Sequence, residues 1–198
     1  MFTIRIANEN DAFGILDIYS PYVTHSPVTF ECDIPRPFEM KRRINTVNNK
    51  YPWLVCEKDG MIAGYAYACE FSSRSAFDWC AELSVYIRED YQRCNIASAL
   101  YYALIELLKK QGFCTAFARI TFPNEKSIAF HNAFGFIEAG HLHNAGYKLG
   151  AWHDIKILEK SLIESYNSAP KTIIPITKID KKDMEPLFRM AEKIIRER

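Results

Sequence analysis

Glu82 is a lone carboxylate in a run patterned for a buried strand, residues 79–87, and ten positions after it the chain enters a long amphipathic helix through Gln92-Arg93-Cys94-Asn95-Ile96-Ala97. A turn that feeds backbone N–H groups into a helix N-terminus attracts anions, because unpaired amides and the helix dipole both favour negative charge. A carboxylate one strand-length upstream sets a base near whatever that anion carries. Two other sets of titratable groups stand out. His131 falls in a short helical run beside Phe130 and Phe134, and His141 and His143 alternate along a strand. The second pair has two of the ligand types a metal needs, but no third is in view along the sequence, so no metal is expected.

The elements that must position these groups are legible from periodicity. Residues 2–6 alternate as a short strand. Asn8 and Asp11 form a capping-box pattern before Ala12, Ile15, Leu16 and Tyr19 at helical spacing, with Pro21 and Pro27 expected to limit that helix. A second helix follows Pro37. Residues 51–57 and 61–69 are strand-like on either side of Lys58-Asp59-Gly60, a hairpin signal. The helix over 96–110 puts Ile96, Leu100, Ala103, Leu104, Leu107 and Leu108 on one face, with Gly112 as its stop. A strand over 114–121, a short helix over 125–134 and strands over 136–145 and 152–160 complete the pattern. Residues 164–178, with Pro170 and Pro175, read as a linker. Met184, Leu187, Phe188, Ala191, Ile194 and Ile195 then form one apolar stripe, with Asp183 as N-cap and Pro186 in the first turn. Such a stripe must be buried, either on its own domain or on a partner subunit.

At 198 residues, with 48% hydrophobic and 25% charged content, the chain has the size and composition of a globular domain with an appendage. Net charge is +1, which gives no electrostatic footprint for nucleic acid or an anionic membrane surface. Residues 171–198 carry eight Lys or Arg against five Asp or Glu, too mild an excess for a nucleic-acid tail. The six cysteines show no C-x-x-C spacing, and no apolar run reaches membrane-spanning length. No signal peptide is expected from the opening residues, and a reducing, cytoplasmic setting is expected.

Taken in order, the strand–turn–helix, the loop at Asn124 and the helix ending Ala133-Phe134-Gly135-Phe136 resemble an N-acetyltransferase of the GNAT superfamily, and more narrowly the phosphinothricin acetyltransferases. The carriers are Tyr51-Pro52-Trp53-Leu54-Val55, Ala63-Gly64-Tyr65-Ala66-Tyr67-Ala68, Arg74 with Phe77-Asp78-Trp79, Glu82 with Val85-Tyr86, Gln92-Arg93, Ala145-Gly146-Tyr147-Lys148 and Trp152-His153-Asp154. The resemblance covers about residues 2–160. It implies an α/β (α+β) fold with a central mixed, mostly antiparallel sheet flanked by helices. A C-terminal helical extension is added, giving units 1–160 and 161–198.

The resemblance further implies acetyl-CoA as cosubstrate and a small amino-acid-like amine as acceptor, such as phosphinothricin, methionine sulfoximine or methionine sulfone. Glu82 matches the family's general base, acting through water; a structural or ammonium-binding carboxylate is the alternative. His131 stands where many relatives carry a tyrosine that protonates the thiolate; the alternative is a packed helix histidine. Acetyl-CoA contacts carry over to Val85, Tyr86 and Ile87 by strand amides, to Arg93, Cys94, Asn95, Ile96, Ala97 and Ser98 in the loop, and to Asn124. Arg74 matches a basic residue at the acceptor pocket, with Phe30, Glu31 and Phe77 lining it, and a homodimer is implied. Asn95 departs from the family's loop pattern by replacing a glycine, but asparagine is the residue after glycine that best tolerates a left-handed backbone. That departure and the added helix motivate a different reading, a non-catalytic acyl-CoA-binding or assembly module. A protein N-terminus or polyamine acceptor ranks lower, since no acidic groove for a polyamine is apparent.

Overall fold

The computed structural model describes residues 1–196. Seven strands, β1 (Phe2–Ile6), β2 (Trp53–Lys58), β3 (Met61–Glu70), β4 (Cys80–Ile87), β5 (Thr115–Phe122), β6 (Ile137–Lys148) and β7 (Ala151–Ser161), form one sheet in the order β1-β2-β3-β4-β5-β7-β6. Every neighbouring pair is antiparallel except β4 and β5. Helices α1 (Ala12–His25) and α2 (Pro37–Val47) pack on one face. Helices α3 (Ile96–Gln111), α4 (Glu125–Ala133) and α5 (Lys181–Glu192) pack on the other. The mixed, mostly antiparallel sheet with flanking helices agrees with the expected fold class.

The parallel pair is short. Cys80, Ala81 and Glu82 are in register with Thr115, Ala116 and Phe117, and there the pairing stops, although each strand continues for five more residues. On β4 the register with β3 sets Glu82, Ser84 and Tyr86 beside Cys69, Tyr67 and Tyr65 on the α1–α2 face. Leu83 and Val85 point the other way, into the larger core under α3. Period-two alternation thus gives the sheet a chemically active face and an apolar one at the same place.

Several local expectations are corrected. Helix α1 runs through Pro21 to His25, because Ile15, Ile18, Tyr19 and Val23 bury one continuous face in the core on both sides of the proline, and that packing outweighs the one missing N–H. The β6–β7 hairpin keeps its pairing to Lys148 and turns only on Leu149 and Gly150, both left-handed at φ 51° and 79°. Helix α5 begins at Lys181 with Asp180, not Asp183, at its N-cap, which leaves Pro186 inside the helix.

The terminal stripe docks on the chain's own core: Ala191 is fully buried, and Met184, Leu187, Phe188, Ile194 and Ile195 pack around it against the α3 side. The Ile4 N–H donates to Glu192 Oε1 at 2.8 Å, and the Arg196 N–H donates to the Cys94 carbonyl at 3.0 Å. Residues 162–180 do not behave as a free linker. Trp79 Nε1 donates to the Lys171 carbonyl, and the Tyr166 hydroxyl donates to the Cys114 carbonyl. The fully buried Gln111 donates its amide to the carbonyls of both Lys50 and Ile174. Gln111→Met keeps the volume but strips both carbonyls of a donor, and should lower unfolding free energy by ~1–3 kcal/mol, read as a shift of the urea midpoint with unchanged slope.

Candidate active site

Where β4 and β5 part, they leave a cleft with Ser84 and Val85 on one wall, Ala118 and Ile120 on the other, and Asn124 and His131 beside it. Tyr86 also lines it, while the Ile87 carbonyl accepts from the Tyr22 hydroxyl at 2.9 Å where β4 ends. The turn into α3 follows. Arg93 and Asn95 are both left-handed, at φ 68° and 60°. Asn95 occupies the N-cap position without a side-chain cap bond, and its carbonyl accepts from the Ala99 N–H. The amides of Ile96, Ala97 and Ser98 therefore have no partner inside the helix. Asparagine does what the turn requires of glycine. The side chains of Cys94 and Ile96 are buried in the core, so those two residues can meet a ligand only through their backbone. Asn124 caps α4 by accepting the Ser127 N–H. The geometry fits an anion on the α3 amides with an extended tail reaching up the cleft.

Glu82 sits at the point of divergence, its side chain 12% exposed. Arg119 of β5 grips it with both arms: Nε donates to Oε1 at 2.8 Å and Nη2 to the other oxygen. This fork is charge-assisted and bidentate, which fixes the carboxylate's plane as well as its position. The sequence reading missed Arg119. The signal was available, since Arg119 lies two residues after Phe117, the register partner of Glu82, and so shares its face. Cys69, opposite Glu82 on β3, is pushed up to about 12 by burial and then by the Glu82 carboxylate. It stays a thiol at neutral pH, so this cysteine beside Glu82 is a poor nucleophile.

His131 is buried on α4 amid Phe130, Phe134, Phe136 and Tyr101. Its Nδ1–H donates to the Ser127 carbonyl at 2.7 Å, and a carbonyl can only accept, which assigns the tautomer. Nε2 therefore accepts from the Tyr101 hydroxyl at 2.8 Å. Burial holds the imidazole below its ordinary value, in the neutral form, and pushes the Tyr101 phenol well up. Tyr101, from the apolar stripe of α3, is a second partner the sequence reading did not find; aromatic residues in such a stripe read as core.

The acceptor-side residues are spread over three places. Glu31 accepts from Arg43 Nη1 at 2.6 Å and lines a cavity of ≈ 190 Å³ with Tyr19, Trp53, Tyr65 and Tyr67, on the same sheet face as Glu82. Phe30 lies flat against Gly146 of β6, so close that a Cβ there would sit 2.2 Å from its ring. Phe77 meets Phe71 edge-on, and Phe71 stacks on Phe117, next to Glu82. Arg74 is exposed in the same connection. The structure thus groups Glu82, Val85, Tyr86, Asn124 and His131 around the cleft, sets Arg74 and Phe77 at its Phe117 end, and puts Glu31 and Phe30 apart.

Because the folded-state pKa of His131 is lowered from 6.5, the unfolded chain binds the proton more readily. Its contribution to stability is complete above pH 6.5 and is lost as pH falls below that value. Chemical denaturation between pH 7.5 and 5 should show this acid slope, and His131→Gln should flatten it.

The chain matches the acetyltransferase (GNAT) domain family over residues 4–157. It is 35% identical to a phosphinothricin N-acetyltransferase of Streptomyces viridochromogenes over 176 residues, 89% of this chain and 95% of the relative. It is 28% identical to an L-methionine sulfoximine/L-methionine sulfone acetyltransferase of Salmonella typhimurium, covering 82% and 95% of the two chains. Among solved structures, a GNAT superfamily phosphinothricin acetyltransferase from Sinorhizobium meliloti in complex with AcCoA superposes with a TM-score of 0.83 at 32% identity, over 89% of this chain and 97% of the other. With the cleft, the amide turn and the carboxylate in the places described, the chain belongs to the GNAT superfamily of N-acetyltransferases, among the homologues of phosphinothricin N-acetyltransferase.

Proposed function

We propose that this enzyme moves an acetyl group from acetyl-CoA to the amine of a small amino-acid-like acceptor of the phosphinothricin or methionine sulfoximine kind. The observation that carries the reading is the position of Glu82. It stands where β4 and β5 diverge and faces the α1–α2 side, away from the apolar face on which the cleft meets α3. The pyrophosphate lies on the Ile96, Ala97 and Ser98 amides beside Arg93, and the exposed β4 amides of Val85 to Ile87 hold the pantetheine arm, with Asn124 across from them. Asn95 supplies the left-handed turn in place of glycine, which weakens one of the two motives for a non-catalytic binding module.

In this scheme Glu82, held by Arg119, takes the proton of the acceptor ammonium through a water. The free amine then attacks the thioester carbonyl directly; the C–N bond forms and the C–S bond breaks. The high pKa of Cys69 disfavours a detour through an acyl-cysteine. The proton that the attacking nitrogen sheds as the tetrahedral intermediate collapses goes to the departing thiolate, and His131, held by Ser127 and Tyr101, is a polar group on the cleft wall that orients this transfer. Arg74 and Phe77 receive the acceptor's acidic end and its chain, with Phe30 and Glu31 on the opposite rim. No metal enters this scheme. Residues 1–160 form the acetyltransferase unit, and 161–198 brace it.

The test is release of free thiol from acetyl-CoA across phosphinothricin, methionine sulfoximine and methionine sulfone, beside a polyamine and an N-terminal peptide. Turnover with the first three supports the reading, and turnover confined to the last two overturns it. Glu82→Gln should lower kcat by ~10²–10⁴-fold. Arg74→Ala should raise KM for the acceptor and leave KM for acetyl-CoA unchanged.

Two further expectations belong to the same reading. The six cysteines are all free, which suits a cytoplasmic enzyme, and among the described residues no helix is long and apolar enough to cross a membrane. The hairpin tip exposes Tyr147, Leu149 and Trp152, each more than half accessible, a surface suited to a homodimer. Light scattering should return twice the 22.9 kDa chain mass, and Trp152→Glu should return the monomer.

A further inference from the structure

The β6–β7 hairpin carries a feature that acetyl transfer does not use. Its register slips between Leu142 and Gly146, so that residues 143–145 together face the single residue Asp154. Asn144, left-handed at φ 49°, points its N–H at Asp154 Oδ1, 2.8 Å away. The other carboxylate oxygen, Oδ2, is met by two imidazole nitrogens at once: His141 Nε2 at 2.9 Å and His143 Nδ1 at 3.1 Å. The bulge thus supplies the third ligand type that is out of view along the sequence.

From this convergence we propose that His141, His143 and Asp154 form a binding site for a divalent first-row transition ion such as Zn²⁺. All three ligand atoms lie within 4.8 Å of one another. Bonds of about 2.0–2.2 Å to such an ion set tetrahedral ligand-to-ligand edges of about 3.3–3.6 Å, so the His–Asp spacings of 2.9 and 3.1 Å open by a few tenths of an ångström while the ligand atoms, now within 4.8 Å of one another, draw together around the ion. The ion takes the place of the two imidazole protons now shared with Oδ2. Two imidazoles and one carboxylate favour zinc, cobalt or nickel over magnesium or calcium, which prefer all-oxygen shells. The Asn144 N–H orients the carboxylate from behind, and Phe122 packs edge-on against the His141 ring at 5.5 Å. His143 is 71% exposed, which leaves the outer side open for water to complete the shell.

The site lies outside the acetyl-transfer machinery, but the bulge ends at Gly146, the residue against which Phe30 is seated. A bound ion pins the segment that forms that wall.

Tag-free, EDTA-treated full-length protein titrated with Co²⁺ alone tests the site. The expected result is a saturable visible absorption band at one ion per chain. His143→Ala and Asp154→Asn should each weaken binding by at least ~10–100-fold, the scale of losing a metal-site partner, while His25→Ala leaves it unchanged. Circular dichroism and thermal melts of the apo variants separate misfolding from lost ligation, because exposed His143 can be removed without disturbing the core. Absence of a saturable band, or a band that survives His143→Ala and Asp154→Asn in folded protein, overturns the proposal and leaves a plain hydrogen-bonded His–Asp cluster.

Discussion

Two adjacent strands that start in register and then separate are the constraint on which this molecule turns. A parallel pair costs nothing special while its amides and carbonyls are matched, but parting leaves backbone groups that must be satisfied by something other than a strand. In this fold the pairing of β4 with β5 lasts three residues. The separated backbone becomes a slot whose unmet hydrogen-bonding groups suit an extended amide-bearing ligand such as a pantetheine chain. Helix α3 can start at the mouth of that slot because the left-handed Arg93 and Asn95 turn the chain sharply enough to aim its first amides there. The ligand groove is thus an interruption of the sheet.

The same interruption decides what lies on each side of it. Alternation along β4 sends Leu83 and Val85 into the core and Glu82 to the opposite face, where its carboxylate is too enclosed to go without a partner. Arg119 is that partner, and its bidentate hold gives a carboxylate of fixed orientation. His131 reaches the slot from α4 with both ring nitrogens engaged, one by the Ser127 carbonyl and the other by the Tyr101 hydroxyl. Each titratable group at the cleft is held by named neighbours, Glu82 by Arg119 and His131 by Ser127 and Tyr101.

Much of this could be read from the chain because the relevant signals are local. The strand–turn–helix around Glu82, the hairpin at Asp59-Gly60 and the stop at Gly112 each follow from periodicity or turn chemistry within a dozen residues. The partners Arg119, Tyr101 and Asp154 were not seen, since each joins its group only through strand register or helix packing that local pattern does not encode. Arg119 is 37 positions from Glu82, and Tyr101 is 30 from His131. The course of α1 through Pro21 was misread because burial of Ile18, Tyr19 and Val23 on either side of the proline, a tertiary effect, holds the helix together. Residues 164–178 had the composition of a linker, yet Gln111, Trp79 and the Cys114 carbonyl, all distant in sequence, tie them down.

The contact between the Ile4 amide and Glu192 spans 188 positions and closes the outer side of β1, the border strand of the sheet. During synthesis the strand is made 188 positions before its cover, so the border of the growing sheet stays unpaired over that interval. An unpaired border is the place where sheets of different molecules join. The terminal helix gives, through Glu192, a partner to an amide on that border. For this enzyme, the vulnerable interval precedes the completed fold.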